Sequence, residues 1–307
     1  MASHMSIDWI TWSHPVASWW LFLVAMSLGN VILWLALHRQ FRRRPLTLNF
    51  GILRTELMLL LCAAYVFGCA FRSVLPRADV QRICLFDTWL SSVLVGRSVA
   101  TIAELCFIIQ WAIVLRQLAE MVKSDTVRNV SNAIVPLIVL AECCSWYAVI
   151  TTSYLGNAIE NSLWAVSFML VTVALARLFG EFRGIFRLVI GAAALGIAGY
   201  LVFLIFIDVP MYIARWEHDL ESGTPIFGIL AGLHDVSTRW AVTHDIDHWR
   251  DEMTWMALYF SVAVWSSLAL CSFDLIKHHV PRYRTGLVNS RSAPRRLAIG
   301  TNSGVPV

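Results

Sequence analysis

The chain of 307 residues is 58% hydrophobic and only 14% charged, and its mean hydropathy is +0.66. A soluble domain carries about 25% charged residues, so this composition excludes an ordinary soluble protein and predicts an integral membrane protein. The formal net charge of +4 is small, and no motif that reads DNA or RNA accompanies the basic residues, so no nucleic-acid partner is expected.

The two ends of the chain differ in character from its apolar body. Residues 1–5 resemble an expression scar, which makes Met5 the expected native start. No secretory signal follows, because residues 6–16 lack a basic region ahead of the first apolar run. Residues 6–284 are predicted to form one membrane domain. Residues 285–307 are basic and contain small residues and proline, which predicts a disordered cytoplasmic tail.

Seven segments are apolar for the length that a helix needs to cross the hydrocarbon core, about 20 residues. They are Val16–Leu37, Glu56–Val74, Thr88–Leu115, Ala133–Tyr154, Asn161–Phe179, Leu188–Ile207 and Met253–Ile276. The predicted fold class is therefore an all-α polytopic membrane protein with seven transmembrane helices.

The connections between these spans differ sharply in basic residues. Seventeen lysines and arginines follow the first, third, fifth and seventh spans, whereas six lie on the other side. The positive-inside rule then places the N-terminus outside and the C-terminus in the cytoplasm. The outer loops carry no glycosylation site, since Asn129-Val-Ser131 falls on the cytoplasmic side, which favours a bacterial inner membrane.

The loop between the sixth and seventh spans, residues 208–252, is too long for a simple connection. It holds nine of the 20 acidic residues and four of the nine histidines. Asp208 and Pro210 predict either a helix N-cap or a kink, and Gly223 a helix end. Two amphipathic helices are expected in this loop, which predicts a surface that lies on the membrane.

Arginines in the other outer loop, between Arg72 and Asp87, have two interpretations. They can bind a phosphate head group, or they can pair with the acidic loop 208–252. Pairing is favoured, because the opposite charges face the same compartment.

Histidines in the long outer loop suggest a divalent metal such as zinc. His244, His248 and Glu252 are spaced by four residues and would share one face of a helix that begins near Asp245. His234 and Asp208 could complete the ligand set. The alternative is a solvated acidic helix start, in which Asp245 and Asp247 favour the helix dipole.

Ionisable residues also lie within the predicted spans, where a charge costs roughly 2.5–3.5 kcal/mol on insertion scales. Arg97 and Glu104 are on one face of the third span, and Glu142 is at similar depth in the fourth. An ion pair between Arg97 and a carboxylate is expected. It is either a structural salt bridge or part of a relay that moves protons or substrate.

A polar and aromatic stripe enters the membrane at the start of the fifth span: Asn157, Glu160, Asn161 and Trp164. Helix capping and an aromatic belt explain part of it, but neither explains Glu160. Tryptophans also concentrate on the outer half. The residues predicted to bind substrate are Arg97, Asn157, Trp146, Trp164, Trp216, Trp255 and Tyr259.

These features favour an intramembrane enzyme with an outward-facing pocket for a lipid or another hydrophobic substrate. Its chemistry would be acid–base catalysis by carboxylates or metal-assisted hydrolysis or transfer. The predicted catalytic residues are Glu104, Glu142, Glu160 and Glu252. The alternatives are a seven-helix receptor or proton-coupled small transporter that uses the Arg–Glu network, and a structural subunit. Membrane lipids and a lipid-like small molecule are the expected partners, while the sequence leaves the oligomeric state open.

Overall fold

The computed structural model describes residues 14–43 and 50–276, so the predicted scar at 1–5 and tail at 285–307 lie outside the described residues. Seven described helical segments are long and apolar enough to cross a membrane, which confirms the predicted number of spans and indicates an integral membrane protein. The first five are α1 (His14–Arg42), α2 (Phe50–Val74), α3 (Val93–Val122), α4 (Asp125–Thr151) and α5 (Tyr154–Phe179).

The sixth and seventh spans each consist of two helices joined by a π-helical turn. The sixth span contains α6 (Gly184–Phe203), a π turn at Leu204–Asp208 and α7 (Val209–Ser222). The seventh contains α9 (Ile246–Leu258), a π turn at Tyr259–Ala263 and α10 (Val264–Ile276). Between them lies α8 (Ile229–Thr238).

The helix boundaries differ from the apolar runs for local reasons. Thr88 starts a 3₁₀ turn at Trp89–Ser91, and the Ser92 side chain accepts a hydrogen bond from the N–H of Val95, so the third span begins at Val93 instead of Thr88. Several helices extend past the apolar segments into polar sequence, where hydropathy gives no signal but backbone hydrogen bonding continues.

An N-cap at Asp208 is wrong. Asp208 has helical backbone angles (φ −73°, ψ −53°) and its side chain caps nothing, so the helix continues through the π turn into α7. Pro210 lacks a backbone N–H, which removes one hydrogen bond at this point and is compatible with the altered turn. The predicted helix end at Gly223 is confirmed, because Gly223 adopts the left-handed conformation (φ +65°).

Neighbouring helices in the chain pack side by side from α1 to α6, and α10 packs against α2 and α3. The π turn of the seventh span takes part in this packing. The Asn30 side chain donates to the carbonyl of Phe260 within the turn (2.8 Å) and accepts from Trp265 Nε1 (3.1 Å). These two hydrogen bonds fix the position of α1 along the axis of the seventh span.

A small cap covers the end of the bundle where α2, α4 and α7 finish. It contains α8 and the strands β1 (Arg77–Ala78), β2 (Ile83–Cys84) and β3 (Ala241–Val242), with β2 antiparallel to β1 and parallel to β3. Arg82 holds the cap together, since its buried guanidinium contacts Asp235 (2.8 Å) and donates to the carbonyl of Val149 (2.6 Å). The predicted pairing between the arginine loop and the acidic loop is therefore confirmed for Arg82.

Candidate functional site

Four buried ionisable side chains meet between α3, α4 and α5. The Arg97 atom Nη2 lies 2.6 Å from Glu142 Oε2, 3.3 Å from Glu104 Oε2 and 3.4 Å from Glu160 Oε1. Each of the four residues is less than 10% exposed. We call them the Arg–Glu cluster. Helical spacing brings Arg97 and Glu104 together, because seven residues make two turns of α3.

Polar side chains around the cluster fix the position of each carboxylate. Thr101 donates to Glu142 (2.6 Å), and Trp146 donates in turn to Thr101 (3.1 Å). The Tyr259 hydroxyl donates to Glu104 Oε1 (3.0 Å), and the Asn157 amide donates to Glu160 Oε2 (3.2 Å). Arg72 from α2 lies 4.0 Å from Glu104. Five helices thus supply the cluster and its contacts.

The cluster forms one wall of a cavity of about 620 Å³, a size typical of small-molecule sites. Arg97, Glu104 and Glu160 line it, whereas Glu142 stands behind Arg97. Most of the remaining wall is apolar and includes the aromatic residues Trp164, Phe168, Tyr200, Phe203 and Trp255. The cavity therefore combines a polar end with apolar walls, an arrangement suited to an amphipathic molecule.

Several buried polar atoms of the site have no hydrogen-bond partner among the described residues. They include Arg97 Nε, Glu142 Oε1 and Asn157 Oδ1. An unsatisfied buried polar atom costs about 1–3 kcal/mol. Because such atoms are rare in stable cores, those at this site indicate a place for a bound polar group or water.

The cavity wall holds more acidic than basic groups. Five carboxylates (Asp79, Glu104, Glu160, Asp208 and Glu252) and three guanidinium groups (Arg72, Arg77 and Arg97) line it. If every group is ionised, the site carries an excess of two negative charges. Bound protons or a cationic ligand can supply the missing positive charge.

At the rim of the cavity, outside the spans, Arg77 and Asp79 form a close ion pair (2.8 Å). Burial acts to raise the pKa of Asp79, but Arg77, Arg72 and Arg97 outweigh it and lower that pKa below its usual value. Asp79 is therefore ionised at neutral pH.

The structure brings together three of the four residues predicted to be catalytic: Glu104, Glu142 and Glu160. Glu252 lies elsewhere on the cavity wall, where it accepts hydrogen bonds from Gln81 (3.1 Å) and Trp255 (2.6 Å). Of the residues predicted to bind substrate, Arg97, Asn157, Trp164, Trp255 and Tyr259 line the cavity. Trp146 contacts Thr101 behind the cluster, and Trp216 is not in the lining.

The residues predicted to bind a metal, His234, His244, His248 and Asp208, do not form a common site within the described chain. His244 precedes α9, because Asp245 is the N-cap, and its ring lies against the carbonyl of Leu85 (2.9 Å). The helical spacing assumed for His244 and His248 therefore does not apply. His234 and His248 are exposed, and Asp208 alone lines the cavity.

The group that metal-ligand geometry does single out in the described residues is Glu104, Glu142 and Glu160, whose oxygens lie within 4.8 Å of one another. Arg97 Nη2 is within 3.4 Å of an oxygen from each. A metal ion at this point would have to displace the guanidinium. As the side chains stand, Arg97 provides the positive charge.

Among the side chains that contact the Arg–Glu cluster, sequence reasoning missed Thr101 and Arg72. Thr101 lies four residues after Arg97 on the same face of α3, so helical spacing could have identified it. Arg72 was assigned to the outer loop, and its position beside Glu104 follows from the way α2 packs on α3.

No protein-family model, curated protein or solved structure matches this chain. Its function is therefore inferred from the site itself.

Proposed function

We propose that the protein is an intramembrane enzyme that acts on a lipid or another hydrophobic substrate by carboxylate acid–base chemistry. The observation that supports this most strongly is the convergence of three glutamates on Arg97 in the wall of an apolar cavity. Charged groups at this depth are expensive and usually functional.

The three carboxylates have different surroundings, which suggests different roles. Glu142 contacts both Arg97 and Thr101 at 2.6 Å and stands outside the cavity lining, so we assign it as a positioning residue that holds the guanidinium. Glu104 and Glu160 line the cavity and contact Arg97 at longer distances, so they are the candidates that exchange a proton with substrate. Arg97 would then stabilise negative charge that develops on the substrate.

A lipid-conversion assay tests this proposal. Protein in nanodiscs is incubated with a polar lipid extract, and the products are followed by mass spectrometry. We expect new species with the wild type, and a loss of roughly 10²–10⁴-fold in rate for Glu104→Gln or Glu160→Gln. Glu120→Gln is the control, because Glu120 is exposed and pairs with Arg116 away from the cavity. Absence of products from the wild type, or unchanged rates in both cavity variants, would refute the enzyme.

A proton-coupled transporter, or a receptor with the same switch, is the second candidate. Both π turns contribute residues to the cavity wall, among them Leu204, Asp208 and Tyr259. Such turns often occur at functional sites and can mark hinges. Proton flux in liposomes that depends on a solute, and that Glu104→Gln and Glu160→Gln abolish, would support this candidate. An enzyme instead converts lipid without any gradient.

We further propose that the cap faces away from the cytoplasm, with the N-terminus outside and the C-terminus inside, in a bacterial inner membrane. The asymmetry of basic residues between the two sides supports this orientation. A reporter that folds only in the cytoplasm, inserted after Lys123 or after Gly223, tests it. We expect activity at the first position and none at the second, and the reverse would contradict the proposal.

A further inference from the structure

The cavity has an open side between the sixth and seventh spans. Within the described chain, α6 packs extensively on α5 but has no more than marginal contact with α9 or α10. Residues from both spans nevertheless line the same cavity, including Gly196, Gly199, Leu258 and Val262. We call the gap between α6 and the seventh span the seam.

Two observations indicate that the seam is an opening. A side-chain carbon added at Gly196 or Gly199 would meet no heavy atom within 4 Å, so the space above both glycines is empty. Leu258 and Val262, on the opposite edge, line the cavity and are 44% and 50% exposed. These residues therefore mark the place where the cavity can open to the lipid-facing surface.

The surface around the seam is apolar and lies within two membrane-spanning segments. Leu195 and Val202 on α6 and Leu258 and Val262 on the seventh span are exposed. A molecule that passes through the seam would come from the hydrocarbon region of the bilayer and not from water. This favours a ligand with an alkyl tail.

The polar end of the cavity favours a positive head group. Each cavity arginine already faces a carboxylate: Arg77 faces Asp79, Arg72 faces Glu104, and Arg97 faces three glutamates. Asp208 lines the cavity and makes no helix-capping hydrogen bond, and the charges of Glu252 and Arg215 act on it from beyond salt-bridge distance. An anionic head group would add to the excess negative charge, whereas a cation would reduce it.

Buried atoms of the cavity wall that have no hydrogen-bond partner among the described residues include one acceptor and several donors. The acceptor is Asn157 Oδ1, whose side chain is nine-tenths buried. The donors belong to Arg72, Arg77 and Arg97, but each of these guanidinium groups already faces a carboxylate, so the excess of carboxylates decides the sign of the head group. An alkylammonium group offers three N–H donors and a positive charge. It can therefore donate to Asn157 Oδ1 and add positive charge, whereas a sulfate does neither and an alcohol adds no charge.

We propose that the cavity takes a single-chain cationic amphiphile from the bilayer through the seam, with its amine or ammonium group at the Arg–Glu cluster and its tail between α6 and the seventh span. This inference deepens the proposed function by naming the substrate class and rests on the same cavity. It concerns binding, however, and does not require that the ligand be converted.

Photo-crosslinking in nanodiscs tests the proposal. Three probes share one C14 tail with a diazirine and differ in the head group, which is an amine, a sulfate or a hydroxyl. We expect the amine to label α6, α9 and α10 at least tenfold more than the sulfate, and unlabelled tetradecylamine to compete. Gly196→Leu and Gly199→Leu should each reduce labelling at least fivefold, because the added side chains fill the seam. Gly29→Leu is the matched control, since Gly29 is also surrounded by open space but lies on α1.

A substitution at Asp208 tests the charge of the head group. Asp208→Asn should reduce the preference for amine over hydroxyl at least threefold, whereas Asp251→Asn should not, because Asp251 is 66% exposed and absent from the lining. Equal labelling by sulfate and amine would overturn the head-group class. Undiminished labelling of both glycine variants would overturn the seam. Amine binding without any lipid conversion would support this inference and refute the proposed enzyme. Lipid conversion without a preference for the amine would support the enzyme and refute this inference.

Discussion

Removal of the Arg97 side chain tests whether the cluster is held by charge. In Arg97→Leu, Glu142 and Glu160 lose their only ion-pair partner among the described residues, while Glu104 keeps Arg72 at 4.0 Å. The three carboxylates remain buried with oxygens within 4.8 Å of one another. Breaking a buried ion pair by removing one partner costs about 3–5 kcal/mol.

The expected loss is large enough to measure by thermal unfolding in detergent. At roughly 2–4 °C per kcal/mol for a chain of this class, Arg97→Leu should lower the melting temperature by on the order of 10 °C. Thiol-reactive dyes provide the readout, because Cys62, Cys69 and Cys271 are buried and become reactive on unfolding. Arg116→Leu is the control, since its exposed pair with Glu120 contributes at most about 1 kcal/mol.

A compensated variant separates charge from packing. Arg97→Leu combined with Glu142→Gln and Glu160→Gln removes Arg97 and the two carboxylates that pair with it alone, and leaves Glu104 with Arg72. Replacing a complete buried ion cluster is often close to neutral. We expect this variant to melt at a clearly higher temperature than Arg97→Leu alone. If the compensated variant melts no higher, or if Arg97→Leu melts like the wild type, then charge does not hold the cluster.

Three further predictions concern the cap and the packing of α5. Arg82→Ala should cost about 1.5–3 kcal/mol and accelerate hydrogen exchange in α8, because Asp235 loses its buried partner and keeps only the half-exposed Arg239. The exposed pair lost in Arg250→Ala should cost at most about 1 kcal/mol. Gly156→Val should cost roughly 1–3 kcal/mol in thermal unfolding, because a carbon added at Gly156 would lie 2.7 Å from the Ala148 side chain; unchanged stability would contradict this close approach of α4 and α5. Burial raises the pKa of the Cys84 thiol to about 11, so at pH 8 its reactive thiolate is scarce, and N-ethylmaleimide should modify it only after unfolding, as peptide mass spectrometry would show.

The number of spans could be predicted from the sequence because hydropathy reports directly on which segments the hydrocarbon core accepts. The meeting of Arg97 with Glu104 could be predicted for a similar reason, since helical spacing places both on one face of α3. The depth at which Glu142 enters the membrane follows from counting residues along α4.

Other parts of the site depend on how helices pack, which the sequence does not state. Glu160 was predicted within a separate stripe at the start of the fifth span, yet it joins Arg97 because α5 turns back tightly on α4 after Thr152, which adopts the left-handed conformation (φ +58°). The predicted histidine site is not assembled among the described residues, because the His244 ring lies against the carbonyl of Leu85 while His248 is exposed. These positions depend on how the loop ahead of α9 packs, which the spacing of the histidines does not report.

A last prediction concerns the relation between Arg97 and a metal ion. Arg97 Nη2 lies where three carboxylate oxygens converge, so the guanidinium and a divalent cation compete for one position. Arg97→Ala removes the guanidinium and leaves three oxygen ligands, the type that Mg²⁺ and Mn²⁺ prefer. We expect Mn²⁺ to raise the melting temperature of Arg97→Ala but not that of the wild type. At a concentration 100 times the dissociation constant, binding stabilises a protein by about 2.7 kcal/mol, which would restore much of the loss. Adding Glu142→Gln to Arg97→Ala should abolish this rescue, since the best-positioned ligand is lost. Equal stabilisation of the wild type by Mn²⁺ would show that the ion binds elsewhere, and no stabilisation of Arg97→Ala would show that the three glutamates need the arginine to remain together.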